Sequence, residues 1–175
     1  DIVRQAIAEK GRPTEKVVEA AFAAGDKKLY KDASDRFLRL ILLQDELLAT
    51  RPEFKVGTWI ARARSLGNTS EEKDLYEWNA RVQITTWGNR LAADEGGLRD
   101  YAHREWNGIL KDFYYMRWKT WFDYQTRLLD GKKTAAIDFY AIEEPWTKQT
   151  NPYSNEPEGD CIPTVQRIFA EIFGK

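Results

Sequence analysis

Apolar positions recur at the helical period along nearly the whole chain, and no stretch shows the strict alternation of a half-buried strand. The pattern is densest where Phe37, Leu38, Leu40, Ile41, Leu42, Leu43, Leu47 and Leu48 cover well over half of a helix circumference. So broad an apolar surface predicts burial on more than one side, at the centre of a bundle. Gly25-Asp26 supplies a stop and an N-cap before this helix, which is expected to run to about Ala49, and Thr50-Arg51-Pro52 ends it.

Upstream, residues 2–9 and 14–24 suit one or two short helices broken at Gly11-Arg12-Pro13. Downstream, a helix is expected from about Pro52 to Ser65, with the proline in its first turn. Thr69 with Glu72 three residues on forms a capping box for a helix reaching about Trp87. Gly88 to Gly97 reads as a loop, and Leu98 as the start of a helix that continues, with a kink, to Leu129. Thr134 can cap a further helix to about Lys148. Asn151-Pro152, Asn155, Pro157, Gly159 and Pro163 make residues 149–163 an irregular surface connection. Val165, Ile168, Phe169, Ile172 and Phe173 then give the last helix one docking face. The expected fold is all-α: a bundle of about six or seven helices without significant sheet, in one domain over residues 1–175.

Charge narrows the function classes. Lys plus Arg (27) nearly balance Asp plus Glu (28), so the basic excess of a nucleic-acid binder is missing. One cysteine, Cys161, excludes an internal disulfide and a Cys-rich zinc site, and one histidine excludes a paired-histidine site. No metal or cofactor is expected. No apolar run approaches the roughly eighteen residues of a membrane-spanning helix. The chain opens Asp1-Ile2-Val3-Arg4, without an initiator Met, and reads as a piece of a larger protein or a processed product.

Several side chains could carry chemistry. Tyr114, Trp118, Trp121 and Phe122 share one helical face, where core packing is the simpler reading and ligand binding the alternative. Arg117 lies beside that face and suits a structural pairing with a buried carboxylate. Asp45 and Glu46 sit in the most apolar helix, so Asp45 needs a partner, with Arg81 or a Trp N–H as candidates. As neighbours on a helix they point about 100° apart and do not converge as an acid/base pair. Asp94 and Glu95 read as solvated loop charges beside the flexible Gly96-Gly97, and His103 as a surface or packing residue. Trp87 and Tyr101 differ from these. If their helices are antiparallel neighbours, Trp87, Leu98 and Tyr101 meet at one pole, beside Gly88. A flat apolar ring next to a phenol suits a sugar face with one polar contact.

At these residues the chain resembles the C-terminal α-helical domain of family 89 glycoside hydrolases, the α-N-acetylglucosaminidases. The similar segments include Leu42-Leu43-Gln44-Asp45-Glu46-Leu47-Leu48-Ala49, Gly57-Thr58-Trp59 and Tyr76-Glu77-Trp78-Asn79-Ala80-Arg81-Val82-Gln83-Ile84-Thr85-Thr86-Trp87-Gly88. They continue in Leu98-Arg99-Asp100-Tyr101-Ala102, Tyr114-Tyr115-Met116-Arg117-Trp118 and Gly159-Asp160. The resemblance covers most of the chain from about residue 30. It implies a domain packed on a (β/α)8 barrel that holds two catalytic glutamates of a retaining mechanism, neither of them in this chain. Trp87, Leu98 and Tyr101 match the family's substrate-pocket positions, and Arg81 and Arg117 match arginines that hold the domain together; Asp45, Gly88 and Trp118 belong to the same structural set. The implied substrate is a glycan ending in α-linked N-acetylglucosamine, and the implied setting is secreted, periplasmic or lysosomal. Asn89 and Met116 stand where prolines are common in the family, and the Gly88–Leu98 loop is longer than in the animal enzymes. A free-standing helical module that binds a glycan or a protein is the competing reading.

Overall fold

The computed structural model describes residues 2–94, 97, 99–150 and 152–174. Among these, eight α-helices and no strand are found, the nearest to sheet being an isolated bridge between Lys55 and Asn107. The helices are α1 (Ile2–Ala24), α2 (Lys27–Ala49), α3 (Val56–Arg64), α4 (Ser70–Gln83), α5 (Arg90–Asp94), α6 (Tyr115–Leu129), α7 (Phe139–Thr147) and α8 (Cys161–Phe173). A π-helical turn, Leu110–Tyr114, leads into α6. None of the described helices is long and apolar enough to cross a membrane.

Helices α1 and α2 form an antiparallel hairpin. Gly25, at φ 69°, makes the turn that a side chain would disfavour, and the Asp26 carboxylate accepts from the Leu29 amide to cap α2. Near the turn, Val18 and Ala21 pack on Tyr30, Ala33 and Leu38, and Phe122, Trp118 and Tyr115 of α6 close this core. At the far end, Ile7 meets Leu40, Leu43 and Leu47, and α8 lays Val165, Ile168 and Ile172 across them. The broad apolar surface of α2 thus serves partners on several sides, as its pattern predicts. A third core lies between α3, the end of α4, the π turn and α7, built from Val56, Ile60, Ile84, Ile109, Phe113 and Trp146.

Six expected boundaries differ. Helix α1 is continuous through Gly11-Arg12-Pro13, with Pro13 inside it. Burial of Ile7, Thr14, Val18 and Ala21 along one side outweighs the amide that proline lacks, and the Thr14 hydroxyl donates to the Lys10 carbonyl at 2.8 Å. The expected helix from Pro52 is instead a single 3-10 turn, Pro52–Phe54, followed by α3. It breaks at Lys55, whose neighbours Phe54 and Val56 exchange backbone bonds with Asn107 at 2.8 and 3.1 Å. Helix α4 stops at Gln83 rather than Trp87, although its Thr69–Glu72 capping box forms as expected. The glycine-bounded loop contains α5, with Asn89 accepting from the Ala92 amide as its cap. Asp138, not Thr134, caps α7, so that helix begins at Phe139. The irregular connection also ends earlier than expected, because Asp160 caps α8 and Pro163 falls in its first turn.

The largest departure concerns residues 99–108, expected to be helical. They run as turns and extended chain. Asp100 and His103 hold φ values of 59° and 45°, and Gly108 holds 92°, which no continuous helix accommodates. At Gly108 a Cβ would also lie 2.7 Å from Val56 and 2.9 Å from the Tyr153 ring.

Candidate functional site

The site is a tip of the bundle built from the end of α4 and the turn at residues 99–102. Past Gln83 the chain closes on itself: the Trp87 amide donates to the Val82 carbonyl at 2.8 Å, and the Thr85 hydroxyl to the Arg81 carbonyl at 2.7 Å. Thr85 and Thr86 are buried, which leaves Trp87 projecting from a fixed base at φ 62°. The Asp100 amide then donates to the Thr85 carbonyl at 2.7 Å, drawing the second segment alongside. As a result the Trp87 and Tyr101 rings lie 5.7 Å apart at 51°. Both remain open to solvent, Trp87 at 40% and Tyr101 at 65% exposure.

The expected meeting of Trp87 and Tyr101 is therefore found, though not between two antiparallel helix ends. A loop carries Tyr101 to Trp87 by a backbone tie. Leu98, expected beside them, lies outside the described residues, as do Glu95 and Gly96. Gly88 follows the strained residue instead of occupying the positive-φ position; its carbonyl accepts from the Tyr140 hydroxyl at 3.4 Å. Asp94 pairs at 3.7 and 3.4 Å with Arg90 and Arg99, and His103 is exposed.

Beneath the tip is a polar framework. The Asp100 carboxylate accepts from the Tyr114 hydroxyl on one oxygen and from Arg117 at 2.7 Å on the other. Arg117 also approaches Glu143, which is fully buried, at 2.9 Å, with Arg99 farther away at 3.9 Å. These contacts lack hydrogen-bond alignment, and neither Glu143 oxygen has a hydrogen-bond partner among the described residues. Burial accordingly pushes Glu143 above the usual carboxylate range, against the pull of Arg117 and Arg99. Burial and the adjacent Asp100 carboxylate likewise push the Tyr114 hydroxyl up, keeping it a proton donor.

The other structural candidates occupy separate places. Arg81, completely buried, pairs with Glu77 at 2.8 Å and lies over the Trp146 ring at 4.7 Å. Asp45 does not pair with Arg81 or a tryptophan. It accepts from the Gly108 amide at 2.7 Å, the Lys111 amide at 3.1 Å and the Asn107 side chain at 2.8 Å, holding the start of the π turn. Even with these donors, burial raises its pKa. Glu46 points to the surface and pairs with Arg167 of α8, so the two carboxylates do not converge. Trp118 packs its ring 4.5 Å from Phe37 in the α1–α2–α6 core. Trp121, grouped with it by periodicity, is exposed instead and stacks on Tyr124.

Asp100, Tyr114 and Glu143 are the side chains whose roles the sequence pattern misses. Tyr114 follows the core period and Asp100 sits in an expected helix. Glu143 meets Arg117 only because the fold brings α7 onto α6. Among the described residues, no group of His, Cys, Asp or Glu could hold a metal ion. Chemically, the tip offers an apolar ring face and a phenol on a rigid base.

Comparison with known proteins gives one answer. Residues 1–171 match the family described as "Alpha-N-acetylglucosaminidase (NAGLU) C-terminal domain". Human alpha-N-acetylglucosaminidase is 26% identical over 183 aligned positions, which cover 99% of this chain and 23% of that protein. Structures of a family 89 glycoside hydrolase from Clostridium perfringens, bound to 2-acetamido-1,2-dideoxynojirmycin or to PUGNAc, superpose with a TM-score of 0.91 at 38% identity. A third, from the same organism and at the same similarity, holds its substrate GlcNAc-alpha-1,4-galactose. Each is covered over 98% of this chain and 20% of its own length, so the chain spans about a fifth of the relatives it matches. By sequence and by fold, this chain belongs to the family of C-terminal domains of family 89 glycoside hydrolases, the alpha-N-acetylglucosaminidases.

Proposed function

We propose that this chain acts as the C-terminal helical domain of a retaining α-N-acetylglucosaminidase, packed on a (β/α)8 catalytic barrel, where Trp87, Leu98 and Tyr101 form one wall of the pocket for a terminal α-linked N-acetylglucosamine. The observation that carries this reading is the exposed Trp87–Tyr101 pair on a tied, strained base. Large aromatic rings are left open to water at a cost unless something covers them, and the flat apolar face of a sugar is a suitable cover. Leu75 and Trp78, three apart on α4, and Leu91 on α5 are also exposed, as a surface facing another domain would be. The catalytic acid/base and nucleophile belong to the barrel, and the domain supplies binding and orientation. A secreted, periplasmic or lysosomal setting goes with this reading.

Two measurements test it. The isolated chain is expected to show no hydrolysis of an aryl α-N-acetylglucosaminide, and turnover abolished by mutating Asp45 or Glu46 would overturn that. In the full-length enzyme, Trp87→Ala is expected to lower kcat/KM about tenfold or more, since a lost pocket contact removes roughly 1–3 kcal/mol of transition-state binding. An unchanged value removes Trp87 from the pocket.

A further inference from the structure

We infer that Asp100 is a positioning residue for substrate engagement, acting through Tyr101 and held in place by Tyr114 and Arg117; this rests on the pocket reading above. The non-glycine residues with positive φ among the described residues are Trp87 and Asp100, both in the tip, and His103 directly after it. A side chain holds such a conformation only where surrounding contacts over-determine it. Here those contacts can be named. The Asp100 amide is fixed on the Thr85 carbonyl at 2.7 Å, and its carboxylate is gripped from the other side.

The grip has a geometric origin. Tyr114 and Arg117 are three residues apart, so they share a helix face and can each serve one carboxylate oxygen. The π-helical turn ends at Tyr114, at the start of this pair. Such turns shift the register of a helix locally and recur at functional sites. Behind Arg117 stands the buried Glu143 at 2.9 Å, which confines the guanidinium from the side away from Asp100. Asp100 belongs to none of the three apolar cores. Its loss should leave the helices packed, lower stability through the partner that Arg117 loses, and free the neighbouring Tyr101 from its place against Trp87. A ring that must be ordered by the substrate itself raises KM more than it lowers kcat.

Steady-state kinetics of the full-length enzyme on an aryl α-N-acetylglucosaminide test the inference, with thermal melting of each variant alongside. Asp100→Ala is expected to lower kcat/KM about fivefold, chiefly through KM, when assayed well below a melting temperature reduced by a few degrees through the partner that Arg117 loses. Asp100→Asn keeps an acceptor for the Tyr114 hydroxyl and should recover part of the loss. Tyr114→Phe removes a single hydroxyl and should raise KM about threefold; it carries the test should Asp100→Ala not accumulate. A wild-type kcat/KM for Asp100→Ala and Tyr114→Phe, or a loss that follows the melting temperature without the KM-dominated split, overturns the positioning role. If Trp87→Ala lowers kcat/KM while both of these variants are silent, the positioning role falls and the pocket wall stands. If Trp87→Ala is silent as well, the pocket reading has failed and the positioning role falls with it.

Discussion

Around Leu43, three helices meet through aliphatic side chains. Ile7 from α1, Leu40, Leu43 and Leu47 from α2 and Ile168 from α8 exclude water over a continuous surface, with ion pairs such as Arg39–Glu171 confined to the rim. Around Asp100, order has a different source. There Thr85, Asp100, Tyr114, Arg117 and Glu143 are joined by hydrogen bonds and ion pairs, and the aromatic rings above them are left exposed. Apolar packing is non-directional and fixes where helices lie. A polar framework is directional and fixes where individual side chains point. Exposed rings need the second kind of order, because they must be held without being buried.

That contrast can be broken experimentally at its strongest polar point. Arg81 is fully buried under the tip and pairs with Glu77, whose other oxygen takes Arg64 at 2.7 Å. Arg81→Met is expected to cost roughly 3–5 kcal/mol of unfolding free energy in urea titration, because removing one partner leaves a buried carboxylate under-compensated. A loss under about 1 kcal/mol would mean that this buried ion pair contributes little to stability. On the apolar side, Leu43→Ala is expected to cost about 3 kcal/mol through lost burial and a residual cavity. In NMR spectra it should leave the Trp87–Tyr101 ring contact in place; disappearance of that contact would show that the two regions are coupled. The smallest effect concerns pH. Burial raises the folded-state pKa of Glu143 above its ordinary 4.5, so its contribution is fully present below that value and is lost as pH rises through the folded pKa. The melting temperature of the wild type relative to Glu143→Gln should therefore fall as pH increases from about 4.5. A difference independent of pH between 4 and 7 would show that the Arg117 and Arg99 pairs cancel the burial effect.

How much of this was legible beforehand depends on the range of the cause. Capping and turn chemistry are local, so Gly25, Asp26, Thr69 with Glu72 and the end of α2 at Ala49 follow from the residues themselves. Pro13 misleads because its local effect is overruled by packing of α1 on α2. Residues 99–108 mislead more, since nothing nearby marks Asp100 for a left-handed turn. The cause is the Thr85 carbonyl on one side and Tyr114 with Arg117 on the other. An Asp in so apolar a helix implies a partner, but the partners of Asp45 are the Asn107 side chain and the Gly108 and Lys111 amides, before and within a π turn that periodicity does not reveal. For the site, the Trp87–Tyr101 pairing is legible in the sequence while its support through Thr85 and Asp100 is not.

By itself the sequence determined an all-α bundle centred on α2, the residues that cap α2 and α4 and the family to which the chain belongs, because periodicity, capping and ordered motifs reside in the chain. Tertiary structure alone decided that Asp45 would hold the π turn, that Glu143 would stand behind Arg117 and that Asp100 would bring Tyr101 to Trp87. Those contacts join residues up to 66 positions apart, such as Asp45 and Lys111. Their energies depend on burial and direction, which exist only once the helices have packed.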